Sequence, residues 1–343
     1  MTVNSGIDAR SDALALDPHE GIELRSSGLR ARITPFGGYL THLELADGRD
    51  VVLAHDHAAA RSFDDQHLGC LIGRCANRIR SGMFELDGWH IQLPCNGSDS
   101  HLHGGLTGFG SQRWGVLARD AKTLRLQLRS PDGHENYPGN LVADARISIE
   151  GDTTLRLELE ARTDRPTLCN LTWHPYFNLG GHAARQIGAH RILVEADGWL
   201  PMGNDLCPTG EIADVTGTPF DLRTLTPMRD GLASAHGQIR LAEGFDHCLL
   251  IRGEGLRRAA RVEAPDGQVA MEVWSTQPGL QFYTGNGLTL PKGGKEGVRY
   301  RRHDGFCLEA QGLPDAPNHA NFPTTMLRPG ETYRQIIEYR FES

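Results

Sequence analysis

Apolar and polar residues alternate with a period of two along much of the chain. Leu155, Leu157, Leu159 and Ala161 face one way, and Arg156, Glu158, Glu160 and Arg162 the other. Just before them, Ala145, Ile147 and Ile149 alternate with Arg146, Ser148 and Glu150. Gly151-Asp152 between the two runs reads as a hairpin turn. The pattern returns at Leu124, Leu126 and Leu128, at Leu29, Ala31 and Ile33, and at Ile337, Tyr339 and Phe341. Successive side chains of a strand point to opposite faces, so each run predicts a half-buried antiparallel strand, apolar inward. Residues 54–66 are the one short helical prospect, with weak apolar periodicity. Turn clusters such as Pro35-Phe36-Gly37-Gly38 and Pro131-Asp132-Gly133 punctuate the rest. Strands without intervening helices predict an all-β fold, a large antiparallel sandwich. With no linker or repeat in view, the division expected is a polar segment over 1–20 and one domain over 21–343.

Composition narrows the function classes. The formal net charge is -8, and no basic face of the kind nucleic acid requires is concentrated anywhere. Arg299-Tyr300-Arg301-Arg302 is a short run that reads as a solvated loop. No stretch approaches the ~20 apolar residues of a membrane span. Residues 1–20 carry Asp12, Asp17 and Glu20 with neither a basic start nor an apolar run, unlike a secretory signal. The seven cysteines are odd in number and lack the two-residue gap of zinc or redox sites. Free thiols in a reducing cytoplasm are therefore expected.

Five segments are richer in functional groups than packing requires. Gly73-Arg74-Cys75-Ala76-Asn77-Arg78 brings two arginines and an asparagine into a glycine-flanked stretch. Taken alone, it reads as a surface turn with solvated arginines. His101-Leu102-His103-Gly104-Gly105 places both histidines on one face if the chain is extended there. With His55-Asp56-His57 it raises the question of a metal, but no ligand set stands at a recognisable spacing, and none is expected. In Trp173 to Leu179, alternation puts His174, Tyr176 and Asn178 on one face and Trp173, Phe177 and Leu179 on the other. Pro175 makes this an edge strand or bulge. Asp246 opens the apolar run Cys248 to Ile251. Gln281 and Tyr283 alternate with Leu280 and Phe282, and Cys307, Glu309 and Gln311 with Phe306, Leu308 and Ala310. Glu309 thus lies inside an apolar strand, where an unpaired carboxylate is costly. It either turns to solvent or is held for function as a general base.

These segments, in this order, resemble the galactose mutarotase (aldose 1-epimerase) family over roughly Gly21 to Phe341. The resemblance rests on GRCANRIRSGMFELDG (73–88), HLHGG (101–105), WHPYFNLGG (173–181), PTGEIADVTGTPFDLR (208–223), GFDH (244–247), QPGLQFYTGN (277–286) and GFCLEAQGLPDAPNHANFP (305–323). It implies a β-sandwich of the galactose mutarotase-like type. It implies an enzyme that interconverts the α and β anomers of a free aldose. Glu309 matches the family's general base, His174 its general acid and His103 its second active-site histidine. Asn77, Arg78, Asp246 and Gln281 match groups that bind sugar hydroxyls, and Tyr176 falls in the substrate-contacting segment; Arg74 ranks below Arg78. Trp173, Pro175 and Cys75 depart from common residues and bear on sugar preference.

In the reaction so implied, Glu309 takes the C1 hydroxyl proton while protonated His174 donates to the ring oxygen. A charged His174 calls for a nearby carboxylate, with Asp246 the one in view. Trp173, Tyr176, Phe282 and Tyr283 are the aromatics available to the sugar's apolar faces. No cofactor is expected, since no glycine-rich nucleotide loop is present. The partner expected is a small aldose, and the chain is expected to be a cytoplasmic monomer or homodimer. Three rivals remain at this stage. A glycosidase would use Asp246 and Glu309 as its two carboxylates. A non-catalytic sugar module would bind without turnover. A phosphosugar mutarotase would place Arg299, Arg301 and Arg302 on a phosphate.

Overall fold

The alternating runs pair as their pattern requires. The computed structural model describes residues 20–62, 64–97, 99–290 and 293–342. The N-terminal segment, with Asp12 and Asp17, therefore lies outside the described residues apart from Glu20. A nine-stranded antiparallel sheet runs Gly115–Arg119, Thr123–Ser130, Leu141–Glu150, Thr154–Thr163, Tyr333–Glu342, Ala270–Ser275, Arg257–Glu263, Arg191–Val194 and Thr226–Pro227. The hairpin closes with Glu150 opposite Thr154, so its loop is Gly151-Asp152-Thr153, with Gly151 at a positive φ of 59°. Leu155, Leu157, Leu159 and Ala161 are buried, and so are Ala145, Ile147, Ile149, Ile337, Tyr339 and Phe341. Ser148, expected outward, is buried, and its hydroxyl donates to Glu150 at 2.7 Å.

A second, five-stranded sheet runs Ala213–Asp214, Ala196–Trp199, Asp246–Ile251, Gly279–Tyr283 and Cys307–Gln311. Its inner residues Leu280, Phe282, Phe306, Leu308 and Ala310 join Leu155, Leu157, Ile337 and Tyr339 of the large sheet in one hydrophobic core. Phe177 meets Tyr339 at 5.0 Å between ring centres, and Phe245 meets Phe282 at 4.7 Å. This is the expected all-β sandwich. A three-stranded sheet, Ile22–Arg25, Leu29–Ile33 and Leu40–Leu45, adds Leu24, Leu29, Ala31 and Ile33 to the same core. Helix is confined, among the described residues, to Ala58–Arg61, Met228–Leu232, Gly237–Leu241 and short 3-10 turns. The helix expected over 54–66 is thus a single turn, as its weak periodicity allows. None of these helices is long and apolar enough to cross a membrane.

Candidate active site

Strand register assembles half of the site. Across three neighbouring strands, Asp246 stands opposite Tyr283 and Tyr283 opposite Cys307. The next row on the same face is Cys248, Gln281 and Glu309. Residues directly opposite share a face, so one patch of the small sheet carries Asp246, Tyr283, Gln281 and Glu309 together. The intervening row, His247, Phe282 and Leu308, is buried on the other side.

The other half comes from irregular backbone. Pro175 splits the Trp173-to-Leu179 segment into two short strands, Thr172–Trp173 and Tyr176–Phe177, with His174 between them. His174 is held by its own backbone: its N–H donates to Cys70 and its carbonyl accepts from Gly69, both at 3.0 Å. Tyr176 stacks on it at 5.1 Å. His103 ends the strand Ser100–Leu102 at a positive φ of 52°. Gly104 must follow, because a Cβ there would lie 1.8 Å from the Gly73 carbonyl oxygen. His103 and Asn77 are locked reciprocally: the His103 N–H donates to the Asn77 carbonyl at 3.1 Å, and the Asn77 N–H donates to His103 Nδ1 at 3.3 Å.

The two halves border an open cavity of about 180 Å³. Glu309, His174, His103, Asn77, Arg78, Tyr176, Asp246 and Tyr283 line it, together with His67, Leu102, Asp65, Gln66 and Gly287. Seven of the eight expected site residues are therefore in its wall. The eighth, Gln281, sits behind it and donates to Asp246 Oδ1 at 2.7 Å. Arg78 reaches Asp246 Oδ2 at 3.6 Å. His174 Nε2 lies 3.6 Å from Glu309 Oε1, while Glu309 Oε2 is buried with no hydrogen-bond partner.

Several expectations are corrected. His101 and His103 do not share a face, because the positive φ at His103 turns it away. His101 is buried instead, bonded to the Pro94 carbonyl at 2.7 Å and the Tyr137 hydroxyl at 2.8 Å. Arg74 is no solvated turn residue: it is 1% exposed and donates to Ser130, Pro131, Pro138 and Thr167. Trp173 and Phe282 belong to the core, so only Tyr176 and Tyr283 of the four named aromatics face the cavity. Trp173 donates to the Gly38 carbonyl at 3.1 Å, and this departure from the family pattern does not line the cavity. Arg299, Arg301 and Arg302, the arginines of the phosphosugar rival, do not line this cavity. Of the lining residues, sequence reading passed over Asp65, Gln66, Gly287 and His67, the last a lone histidine in a turn that no local pattern marks.

Burial governs the titration of the site. It raises Glu309 well above its usual value; Asp246 adds to the rise and Arg78 opposes it. Burial, reinforced by His67, lowers His174 to about 3. His103 is likewise held well below the usual histidine range by burial and the neighbouring histidines. The expected carboxylate that keeps His174 charged is thus not Asp246, which attends Arg78, Gln281 and Glu309. His103, His174 and Glu309 offer ligand atoms within 4.8 Å of one another, a possible metal triad. The Asn77 N–H on His103 Nδ1 argues against it. It leaves the neutral ring's proton on Nε2, so His103 presents a donor, not a lone pair, on that side.

The family model described as aldose 1-epimerase matches residues 20–340. The chain belongs to the aldose 1-epimerase family. It is 40% identical to the galactose mutarotase of Bos taurus over 94% of both chains. It is 34% identical to the aldose 1-epimerase of Escherichia coli K12, over 96% of this chain and 97% of that one. A GalM/aldose epimerase homologue from C. elegans superimposes with a TM-score of 0.87 at 28% identity, covering 94% and 98% of the two chains. The galactose 1-epimerase of Lactobacillus acidophilus gives 0.83 at 30% identity, covering 94% of each. The chain is an enzyme of the isomerase class that interconverts the α and β anomers of an aldose.

Proposed function

We propose that the cavity opens and recloses the ring of a free hexose or pentose, with Glu309 and His174 as its proton-transfer pair. The observation that carries this is the buried Glu309 Oε2, unpartnered in the cavity wall, beside a histidine nitrogen 3.6 Å from its other oxygen. A buried carboxylate oxygen without a donor is costly, and a sugar hydroxyl supplies one. Before a sugar binds, burial favours neutral groups, with the shared proton on Glu309. A C1 hydroxyl donating to Glu309 favours the carboxylate, and a ring oxygen accepting from His174 Nε2 favours the imidazolium. The sugar thus moves the proton within the pair, with none exchanged with solvent.

The carboxylate then takes the C1 hydroxyl proton and the imidazolium protonates O5. The C1–O5 bond breaks and the open-chain aldehyde forms. Rotation about C1–C2 presents the other carbonyl face, and the reverse transfers close the ring with inverted C1. In this reading Asn77, Arg78, His103, Tyr176 and Asp246 hold the sugar hydroxyls, and Gln281 holds Asp246. The pKa directions favour a second assignment, in which Glu309 protonates O5 and neutral His174 accepts from the C1 hydroxyl. The ¹⁵N signals of His174 in the sugar complex separate the two: imidazolium in the first, neutral imidazole in the second. Seven unpaired cysteines fit a cytoplasmic enzyme, as a monomer or homodimer.

The relatives' names direct the first assay to galactose. Polarimetry of freshly dissolved α-D-galactose, α-D-glucose, xylose and L-arabinose should show faster approach to an unchanged final rotation. A folded protein that accelerates none of them would overturn the assignment of this cavity.

A further inference from the structure

We propose that Cys307 is a positioning residue for the anomerisation: its sulfur accepts the Nδ1–H of His174, so that Nε2 alone takes and gives protons in the cavity. The inference rests on the mutarotase reading of that cavity. Strand register brings Cys307 to the ring. It stands two residues before Glu309, on the same face and opposite Tyr283. Its Sγ lies 3.5 Å from His174 Nδ1, and both residues are buried. On the other side of the ring, His174 Nε2 faces Glu309 Oε1 at 3.6 Å. One strand thus borders both nitrogens of the imidazole, with a thiol at Nδ1 and a carboxyl at Nε2. The ring has little room to turn between them, because Tyr176 stacks on it at 5.1 Å and His103 meets it edge-on at 5.3 Å.

A thiol can give or take a hydrogen bond, so the contact alone allows two tautomers. Two arguments choose between them. Burial and His67 lower the pKa of the ring, and its own main-chain carbonyl opposes them. A carbonyl only accepts, and Nδ1 is the ring nitrogen nearest the main chain, so the proton belongs on Nδ1. Protonated Glu309, moreover, can pass its proton to the ring only where Nε2 is bare, and a neutral ring with a bare Nε2 carries its proton on Nδ1. Both assignments of acid and base given above use Nε2 and leave Nδ1–H in place. Burial pushes the Cys307 thiol well above its usual value, with Glu309 and Asp246 adding to the rise, so the sulfur stays neutral. A neutral thiol is a weak acceptor. It selects the tautomer without the charge by which a carboxylate would hold the ring as imidazolium. His103 is set the other way, with Nδ1 accepting from Asn77 and the proton on Nε2. The two histidines therefore offer the sugar unlike atoms, a fixed donor from His103 and a proton-exchanging nitrogen from His174.

The test reads the ¹⁵N signals of His174 in sugar-free enzyme at neutral pH, assigned by their loss in His174→Gln. Wild type should show a protonated Nδ1 and a bare Nε2. Cys307→Ala should mix in the Nε2–H form and lower kcat for galactose about tenfold, the worth of one buried hydrogen bond, with KM within about twofold of wild type. Cys307→Ser, whose hydroxyl also accepts, should restore the single tautomer and most of kcat. Thermal melting checks the folding of each variant. A wild-type ring protonated on Nε2 alone would overturn the proposal, and that reading needs no variant to fold. So would a folded Cys307→Ala that keeps Nδ1–H as its single tautomer, whatever its kcat. A wild-type enzyme that accelerates no sugar would sink the mutarotase reading instead, with the tautomer still read from the spectrum.

Discussion

Two stretches of this molecule share one alternation and put it to opposite uses. On the hairpin of the large sheet, the polar set faces outward. Arg146 stands opposite Glu158 and Arg156 opposite Glu338, and the four charges are paired at the surface. On the small sheet, Asp246 and Glu309 face a recessed cavity with Gln281 behind Asp246, and Glu309 is only 2% exposed. Water reaches Arg146 and Glu158, whose pair adds little, while Glu338 is covered by Arg156 and Arg340, which satisfy its carboxylate. The small-sheet set lies in a medium where an unmet oxygen is expensive. Polar alternation therefore marks a site only where a second layer covers it; here the cover is the irregular backbone that carries His174, His103 and His67.

The comparison is broken most severely at Glu309. Glu309→Gln keeps the shape and loses the proposed proton-transfer group, so the mutarotation rate should fall ~10²–10⁴-fold while the thermal transition stays in place. Wild-type polarimetric rate in the folded variant would remove Glu309 from the reaction. Arg74 comes next, a buried polar residue of structure rather than chemistry. Burial lowers its pKa, to about 10, yet it stays charged at neutral pH. Arg74→Met orphans several carbonyl and hydroxyl partners and should cost about 3 kcal/mol in chemical denaturation, with kcat of the folded fraction unchanged. A loss of kcat with full stability would move Arg74 into the site.

Acid sharpens the same contrast. Burial lowers His174 and His247 to about 3 and His190 to about 4. Unfolded, each has a pKa near 6.5. Between those values the unfolded chain binds more protons, so stability falls as pH drops below about 6.5. Glu309, raised by burial, has the opposite sign: it subtracts stability as pH rises above its unfolded value near 4.5. The lowered histidines, His103, His67 and His101 among them, outnumber the raised carboxyls Glu309 and Asp315, so the melting temperature should be lower at pH 5 than at pH 7. A flat profile over that range would mean that these rings are solvated. The smallest effect belongs to the outer ladder. Arg146→Ala should change stability by no more than about 1 kcal/mol and leave mutarotation alone, as denaturation and polarimetry on the same sample would show.

How much was legible in the sequence differs from residue to residue. Glu309 stood out locally, because a carboxylate inside an apolar strand has few cheap explanations. His174 and Tyr176 were on the right face, since Pro175 interrupts the strand without shifting its alternation. His103 required the motif resemblance: its left-handed turn separates it from His101, and alternation alone joined the two. Arg74 and Arg78, four residues apart and of one type, part ways completely, one under the Pro131 and Pro138 carbonyls and the other beside Asp246. His67 had no local signal, because its place depends on Asp64, Tyr39 and Tyr176, which lie elsewhere in the chain or on its own turn.

By itself, then, the sequence determined the β class, the inward and outward faces of the long strands and, through seven collinear motifs, the family and its chemistry. These follow from near-neighbour spacing, which a period of two makes readable. Tertiary structure alone decided which buried polar groups share a cavity and which way burial pushes their protons. Those properties arise between segments that lie far apart in the chain, such as those of Asn77 and Glu309, where desolvation and packing act on distance in space and not on distance along the chain.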